Sequence, residues 1–312
     1  MDRRQFVKAS AAAAAYVSFA GITAGLPRQA LAATVQFDLQ ASVVDHFING
    51  LVTPVSIPTW QFVNSASPST NFNTVLRVAA GDTVIINLSN NLPVPINIIV
   101  PGIMDSSPVC LPGGVMTYSF VAPTLPGTYS FYETQNGGVG KAMGLAGGLI
   151  VGAADGSMSL QNGATFQREH SLVFAEVDSR LNQSVAAGQP YDMANYEPDY
   201  FFVNGVSYVR NTSSVVLQMA VGENVAFRMM NAGSIFYPMH FHGYHVSVVT
   251  RSGKAENFVR DKDSVMIKPN ESIEAMLNVN QAGAYPLHTH YLPGVTNNGT
   301  YAGGGLIVMN AA

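Results

Sequence analysis

The apolar positions of this chain fall in short runs separated by Gly, Pro and Asn. Val75–Val78, Asp82–Leu88, Met116–Phe120 and Gly127–Tyr132 are alternating or wholly apolar, as strands with one or two buried faces require. Turn residues recur between them at close intervals, the pattern of an antiparallel sandwich or barrel. No long helix is predicted anywhere after the N-terminal segment. A longer loop is expected over Ala186–Pro198, ahead of the apolar Tyr200–Val203.

The pattern also repeats. Gly81-Asp-Thr-Val-Ile-Ile-Asn-Leu-Ser-Asn90 aligns with Gly222-Glu-Asn-Val-Ala-Phe-Arg-Met-Met-Asn231, and the offset of 141 persists from Gly102 to Gly243. Further on, Pro126–Phe131 matches Ala282–Leu287, and Gly147–Val151 matches Gly304–Val308. Three collinear matches imply a duplicated β domain. Turn-rich Gly152–Ser157 and Gln161–Ala164 put the boundary near residue 160, giving domains 33–159 and 160–312.

Composition narrows the class. Of 312 residues, 47% are hydrophobic and 11% charged, against about 25% charged in a typical soluble domain. Core material is ample and disorder is excluded. One Cys excludes a disulfide framework, a CxxC zinc site and an iron–sulfur cluster. Cys110, in Pro-Val-Cys-Leu-Pro, reads as a buried structural residue.

Residues 1–32 read as an export signal. A basic head, Arg3-Arg4-Gln5-Phe6-Val7-Lys8, precedes an Ala-rich apolar stretch and then Ala30-Leu31-Ala32. The paired Arg resembles a twin-arginine signal. The apolar run approaches the ~18 residues needed to span a membrane, but its Ala, Ser and Gly content favours cleavage near Ala32 or Ala33. Arg3, Arg4, Lys8 and Arg28 against Asp2 give the segment +3, so removal takes the formal charge from −4 to −7. An acidic chain without a basic run is a poor nucleic-acid binder. The mature chain is expected in the periplasm, with no membrane span.

Chemistry is concentrated in histidine. Four of seven His form two His-x-His pairs, His240/His242 and His288/His290. Residues two apart on a strand share a face, so each pair presents two imidazoles together. Neutral imidazole ligates copper, zinc, nickel or iron, with copper favoured in affinity. A lone strand His is ordinarily a satisfied core residue, but four would each need a buried partner. His245 follows at odd spacing and should point away from its pair. His46 and His170 read as surface residues beside strand starts. The Met residues read as core filling, and the turn Asn297–Thr300 is expected to close over the site.

Pro238-Met239-His240-Phe241-His242-Gly243 and Tyr285-Pro286-Leu287-His288-Thr289-His290 resemble the two copper motifs of the multicopper oxidases, in a two-domain cupredoxin arrangement spanning the mature chain. The resemblance implies two Greek-key β domains. It puts His240 on a type 2 copper and His242 on a type 3 copper, with His288 and His290 serving the type 3 pair. It also implies a type 1 copper with a His at position 237 and a Cys at 289, where this chain has Tyr237 and Thr289; without a thiolate no blue site forms. Ile99 and Pro101 stand opposite His240 and His242, and Tyr132 and Thr134 opposite His288 and His290. The family's trinuclear cluster takes eight His, and four are present.

A type 2-like centre of one or two copper ions in the second domain is therefore expected. Tyr132, Glu133 and His245 are candidates to support the ligands from around the site. The expected activity is an oxidoreductase acting on a small substrate or electron donor, not a four-copper laccase. A copper carrier or tolerance protein, or a metal-free structural cupredoxin, are the alternatives. Two-domain relatives suggest a homotrimer.

Overall fold

The computed structural model describes residues 32–51, 53–67, 74–212, 214–257 and 260–312. The expected signal segment lies outside them except for Ala32. Strands dominate the chain. The first half holds β1 Thr34–Ile48, β2 Val55–Asn64, β3 Thr74–Ala79, β4 Thr83–Asn90, β5 Val115–Val121, β6 Gly127–Tyr132 and β7 Ala146–Gly152. The second holds β8 Arg168–Val177, β9 Tyr200–Val203, β10 Tyr208–Val209, β11 Val215–Met219, β12 Asn224–Asn231, β13 Tyr237–Phe241, β14 Val246–Arg251 and β15 Lys254–Ala255. It continues with β16 Ser264–Ile267, β17 Ser272–Asn278, β18 Gly283–Thr289, β19 Thr296–Asn297, β20 Thr300–Tyr301, β21 Gly303–Gly304 and β22 Ile307–Ala311.

Among the described residues no sheet mixes strands from the two halves. The orders are β2-β1-β4-β5 and β3-β7-β6, then β15-β14-β17-β12-β8-β9 and β11-β22-β18-β13-β16. The duplication shows directly in the pairing. Strand β4 lies parallel to β1 and antiparallel to β5, as β12 lies parallel to β8 and antiparallel to β17. Strand β7 lies parallel to β3 and antiparallel to β6, as β22 lies to β11 and β18. The aligned turn glycines share a backbone: φ is +86° at Gly81 and +92° at Gly222, and +79° at Gly102 and +74° at Gly243. Such left-handed turns suit a residue without Cβ.

One of the three sequence matches is displaced. Tyr129 pairs with Leu149, and its counterpart Tyr285 pairs with Met309. Leu149 therefore corresponds to Met309, three positions beyond the Leu306 that sequence identity selects. An odd shift exchanges the faces of a strand, and Ile307, Met309 and Ala311 are the buried set. Gly303 and Gly304 belong to a separate bridge with β10.

Each half has its own core. Trp60, Phe62, Ile86, Leu88, Tyr118 and Phe131 anchor the first, and Phe174, Phe227, Met229, Tyr237, Met239 and Phe241 the second. Smaller apolar clusters join them: Ile48 and Ile57 against Ala175, Val177 and Phe202, and Ala146 and Ile150 against Val173 and Met230. Strand β4 alternates buried and half-buried positions, whereas β12 is buried almost throughout, because its second face meets the first half.

The surface reading of His46 and His170 is corrected. His46 is buried in β1, 6% exposed, its ring edge-on to Phe202 at 4.9 Å; half-buried His170 meets Phe227 at 5.9 Å. The loop expected over Ala186–Pro198 is present, with one 3-10 turn at Met193–Asn195. It follows an eight-residue helix, α1 Ser179–Ala186, capped by Asp178, whose carboxylate accepts from the amides of Arg180 and Leu181. Among the described residues no helix is long and apolar enough to cross a membrane.

Candidate metal centre

Strands β13 and β18 bring the two His-x-His pairs together. They run antiparallel with His240 directly opposite His288. Along β13, Tyr237, Met239 and Phe241 point into the core, and along β18 Leu287 and Thr289 do. Period-two alternation therefore turns His240 and His288 to the outer face, and His242 and His290 follow at the strand ends.

The four rings cluster. Centroids lie 4.4 Å apart for His240 and His242, 4.8 Å for His240 and His290, and 5.1 Å for His242 and His288. His288 and His290 are 5.6 Å apart, and His240 and His288 6.1 Å. With metal–nitrogen distances of about 2.0–2.1 Å, rings at right angles around one ion stand about 4.5 Å apart and opposed rings about 6.4 Å. The observed separations fall in that range.

The hydrogen bonds set the tautomers. His240 Nδ1 donates to the Asp263 carbonyl at 3.1 Å and contacts Ser264 Oγ at 3.0 Å. His288 Nδ1 donates to the Thr289 carbonyl at 3.0 Å. A carbonyl only accepts, so each Nδ1 carries the proton and each Nε2 presents a lone pair. This is how histidine ligands are ordinarily held. Burial, and then the neighbouring His240, His288 and His290, lower the His242 pKa and favour its neutral form. These donors fit a copper ion in type, and His240 and His288 fit it also in tautomer.

The side chains are not yet a finished coordination sphere. Among the described residues no three His, Cys, Asp or Glu donors meet the arrangement that holds an ion. His242 Nε2 and His288 Nε2 are instead hydrogen-bonded to each other at 3.0 Å. Because His288 Nε2 holds the lone pair, His242 Nε2 carries the proton of that bond, and an ion held by both nitrogens would require that proton to leave.

The surrounding candidates are placed elsewhere. Tyr132 packs with Val75 against the Val173–Met230 cluster, and the Lys141 ammonium lies over its ring. Glu133 is buried and accepts from the amides of Gln135 and Asn136. Burial pushes its carboxyl up, opposed by those donors. Exposed His245 follows the turn. Among the described residues none of the three makes a hydrogen bond, ion pair or ring contact with the four imidazoles. The turn after Asn297 is a hairpin, β19 to β20, fastened to Ser207, Tyr208 and the Asp199 carbonyl rather than to the histidines. Asp263 and Ser264, which orient His240, escaped sequence reasoning, since only the β13–β16 register brings Ser264 opposite His240.

The positions implied for blue copper carry oxygen chemistry. Tyr237 is fully buried and its hydroxyl donates to Glu176 Oε2 at 2.8 Å. Thr289 is buried and its Oγ1 accepts from the Tyr291 amide. Cys110 is buried in the first core, its Sγ 3.6 Å from the Leu88 carbonyl, and burial raises its thiol pKa. In the first half Ile99 bridges Tyr132 as His240 pairs His288, so the lost ligand positions occupy equivalent places.

Comparison with known proteins gives one answer. Residues 59–155 and 182–307 match two multicopper oxidase family profiles. A laccase of Phlebia radiata is 26% identical over 211 residues, 55% of this chain and 40% of that enzyme, so the chain spans about two fifths of its length. A blue copper oxidase from Nitrosomonas europaea superposes with a TM-score of 0.75 at 21% identity, covering 89% of this chain and 86% of that one. A copper nitrite reductase from Nitrosomonas europaea superposes with a TM-score of 0.69 at 21% identity, covering 89% and 94%. The chain belongs to the multicopper oxidase family and is built on its two-domain cupredoxin fold.

Proposed function

We propose that this protein is an exported copper-dependent oxidoreductase whose single centre, of one or two ions, is held by His240, His242, His288 and His290. The observation that carries the reading is the clustering of four imidazoles, two of them fixed with Nε2 outward. Copper there supplies a one-electron couple and an open Lewis-acidic position for a small reductant, O₂ or a nitrogen oxide. The protein's part is orientation: the Asp263 carbonyl and Ser264 hold His240, and the Thr289 carbonyl holds His288. With Tyr237 and Thr289 at the implied blue-copper positions, no thiolate stands there to hold a second ion that would feed electrons to the centre.

The histidines lie on an outer sheet face, and they line neither the cavity beside Arg77 nor the one beside Arg180. That face also exposes Phe236 (54%), Val216 (45%) and Met266 (43%). A second copy covering it, in a homotrimer, would exclude water from the apolar groups and enclose the centre; sedimentation velocity of the mature protein tests this. The same openness favours a second reading, a copper carrier without turnover.

Elemental analysis and EPR after copper loading decide between them. At least one ion per chain is expected, lost in His240→Ala/His288→Ala. Under half an equivalent, or loading unchanged in that variant, overturns the site. Loaded protein whose oxidase and reductase rates equal those of free copper is the carrier.

A further inference from the structure

Asp82 is a buried carboxylate, 5% exposed, in the turn between β3 and β4. Its Oδ2 accepts from the Ala79 amide at 2.8 Å and its Oδ1 from the backbone nitrogen of Ala33 at 2.9 Å. Among the described residues no Lys, Arg or His side chain pairs with it. Such a charge is costly to bury without a cation.

The duplicated half shows what this position holds when it is paired. At the offset of 141, Glu223 stands where Asp82 does, and its carboxylate likewise accepts from Ala220, the counterpart of Ala79. Glu223 has a cation: Arg168 donates to it from Nε at 2.7 Å and Nη2 at 2.9 Å. Arg168 opens β8 opposite Val225, as Val35 near the start of β1 stands opposite Val84. In each copy the turn carboxylate thus faces the beginning of the parallel neighbouring strand. One copy offers a guanidinium there, and the other offers only the Ala33 nitrogen.

We propose that the missing cation is the α-ammonium of Ala33, created when the export signal is cut between Ala32 and Ala33. This rests on the export reading above. Ala30-Leu31-Ala32 is the small-residue pattern such cleavage requires, and it ends one residue before the nitrogen Asp82 holds. Cleavage converts a neutral amide donor into a charged one at the same atom, and charge-assisted hydrogen bonds are the stronger class. The Ala33 carbonyl already accepts from the Thr83 amide at 2.8 Å, and β1 runs on from Thr34 opposite Thr83. A cavity of about 940 Å³ opens beside Ala32, Ala33 and Asp82, leaving space for the three ammonium protons and water. Processing thereby locks the first strand of the mature domain onto β4.

The test is a cycle of two chain starts and two side chains. The mature chain is released from a tag with Ala33 as its first residue, or with one additional residue before it, each with Asp82 or Asp82→Asn. The free Ala33 amine should raise the melting temperature by about 2–4 °C over the extended chain, and Asp82→Asn should abolish the difference. Equal melting of the two Asp82 chains, or a difference that survives in Asp82→Asn, overturns the ion pair. Should Asp82→Asn fail to fold, competitive acylation of the Asp82 chain replaces it. The Ala33 amine should react severalfold more slowly in the folded chain than in urea, and equal rates overturn the pair. Intact mass of the exported protein gives the processing site. A first residue other than Ala33 overturns the cleavage position, and a full-length chain overturns the export reading, independently of the measured coupling.

Discussion

Replacing Arg228 with Met tests how the two halves are held together. Arg228 is 2% exposed and Glu274 is fully buried. The guanidinium donates to Glu274 and Glu169 and reaches Thr128 Oγ1 of the first half at 3.3 Å. Thr128 in turn donates to Glu274 at 3.0 Å, and Thr250 donates to its other oxygen at 2.9 Å. Arg77 of the first half pairs with Glu169. Removing one partner of a buried pair costs about 3–5 kcal/mol, which for a chain of this size lowers the melting temperature by about 6–20 °C. The cost has a pH signature. Burial pushes the Glu274 carboxyl up, and Arg228 chiefly opposes it; without Arg228 only the hydrogen bonds from Thr128 and Thr250 are left to oppose burial. A carboxyl raised above its unfolded value keeps its proton in the folded chain after the unfolded chain has released it, so stability falls as pH rises past about 4.3. The deficit of Arg228→Met should be smallest near pH 4.5 and grow toward pH 7, and Glu274→Gln in the same chain should recover much of it. Urea unfolding across that range is the assay. A loss under about 1 kcal/mol at pH 7, or one that does not change with pH, refutes the reasoning.

Burial lowers the His46 pKa, so the folded chain binds fewer protons there than the unfolded one. Stability should fall as pH drops through about 6.5 toward that lowered value, and His46→Gln should flatten this limb of the melting profile. A Cβ at Gly148 would sit 2.1 Å from Met230 Sδ across the junction of the halves. Gly148→Ala should cost about 1–3 kcal/mol, part of it recovered by Met230→Ala, as read by thermal unfolding. Tyr237→Phe removes the hydroxyl that Glu176 accepts. It should cost about 1–2 kcal/mol while leaving copper content unchanged, which separates the core around Tyr237 from the metal centre.

The sequence alone determined the β architecture, the duplication and the four histidines. Each follows from local rules: period-two alternation, glycines where φ must be positive, and pairs two residues apart on one face. Because Gly81 and Gly222 answer the same steric demand, the offset of 141 was readable before any contact was known. What the tertiary structure decided are matters of register and burial. Leu149 answers Met309 rather than Leu306, since strand pairing and not residue identity fixes equivalence. His46, polar in type, lies in the interior because β1 packs against Phe202. Ser264 supports His240 only through a neighbouring strand, and Glu133 turns back on its own loop. The carboxylate of Asp82 meets Ala33 across 49 residues. A one-dimensional pattern records which face a side chain takes, whereas its partner depends on which distant strand lies alongside.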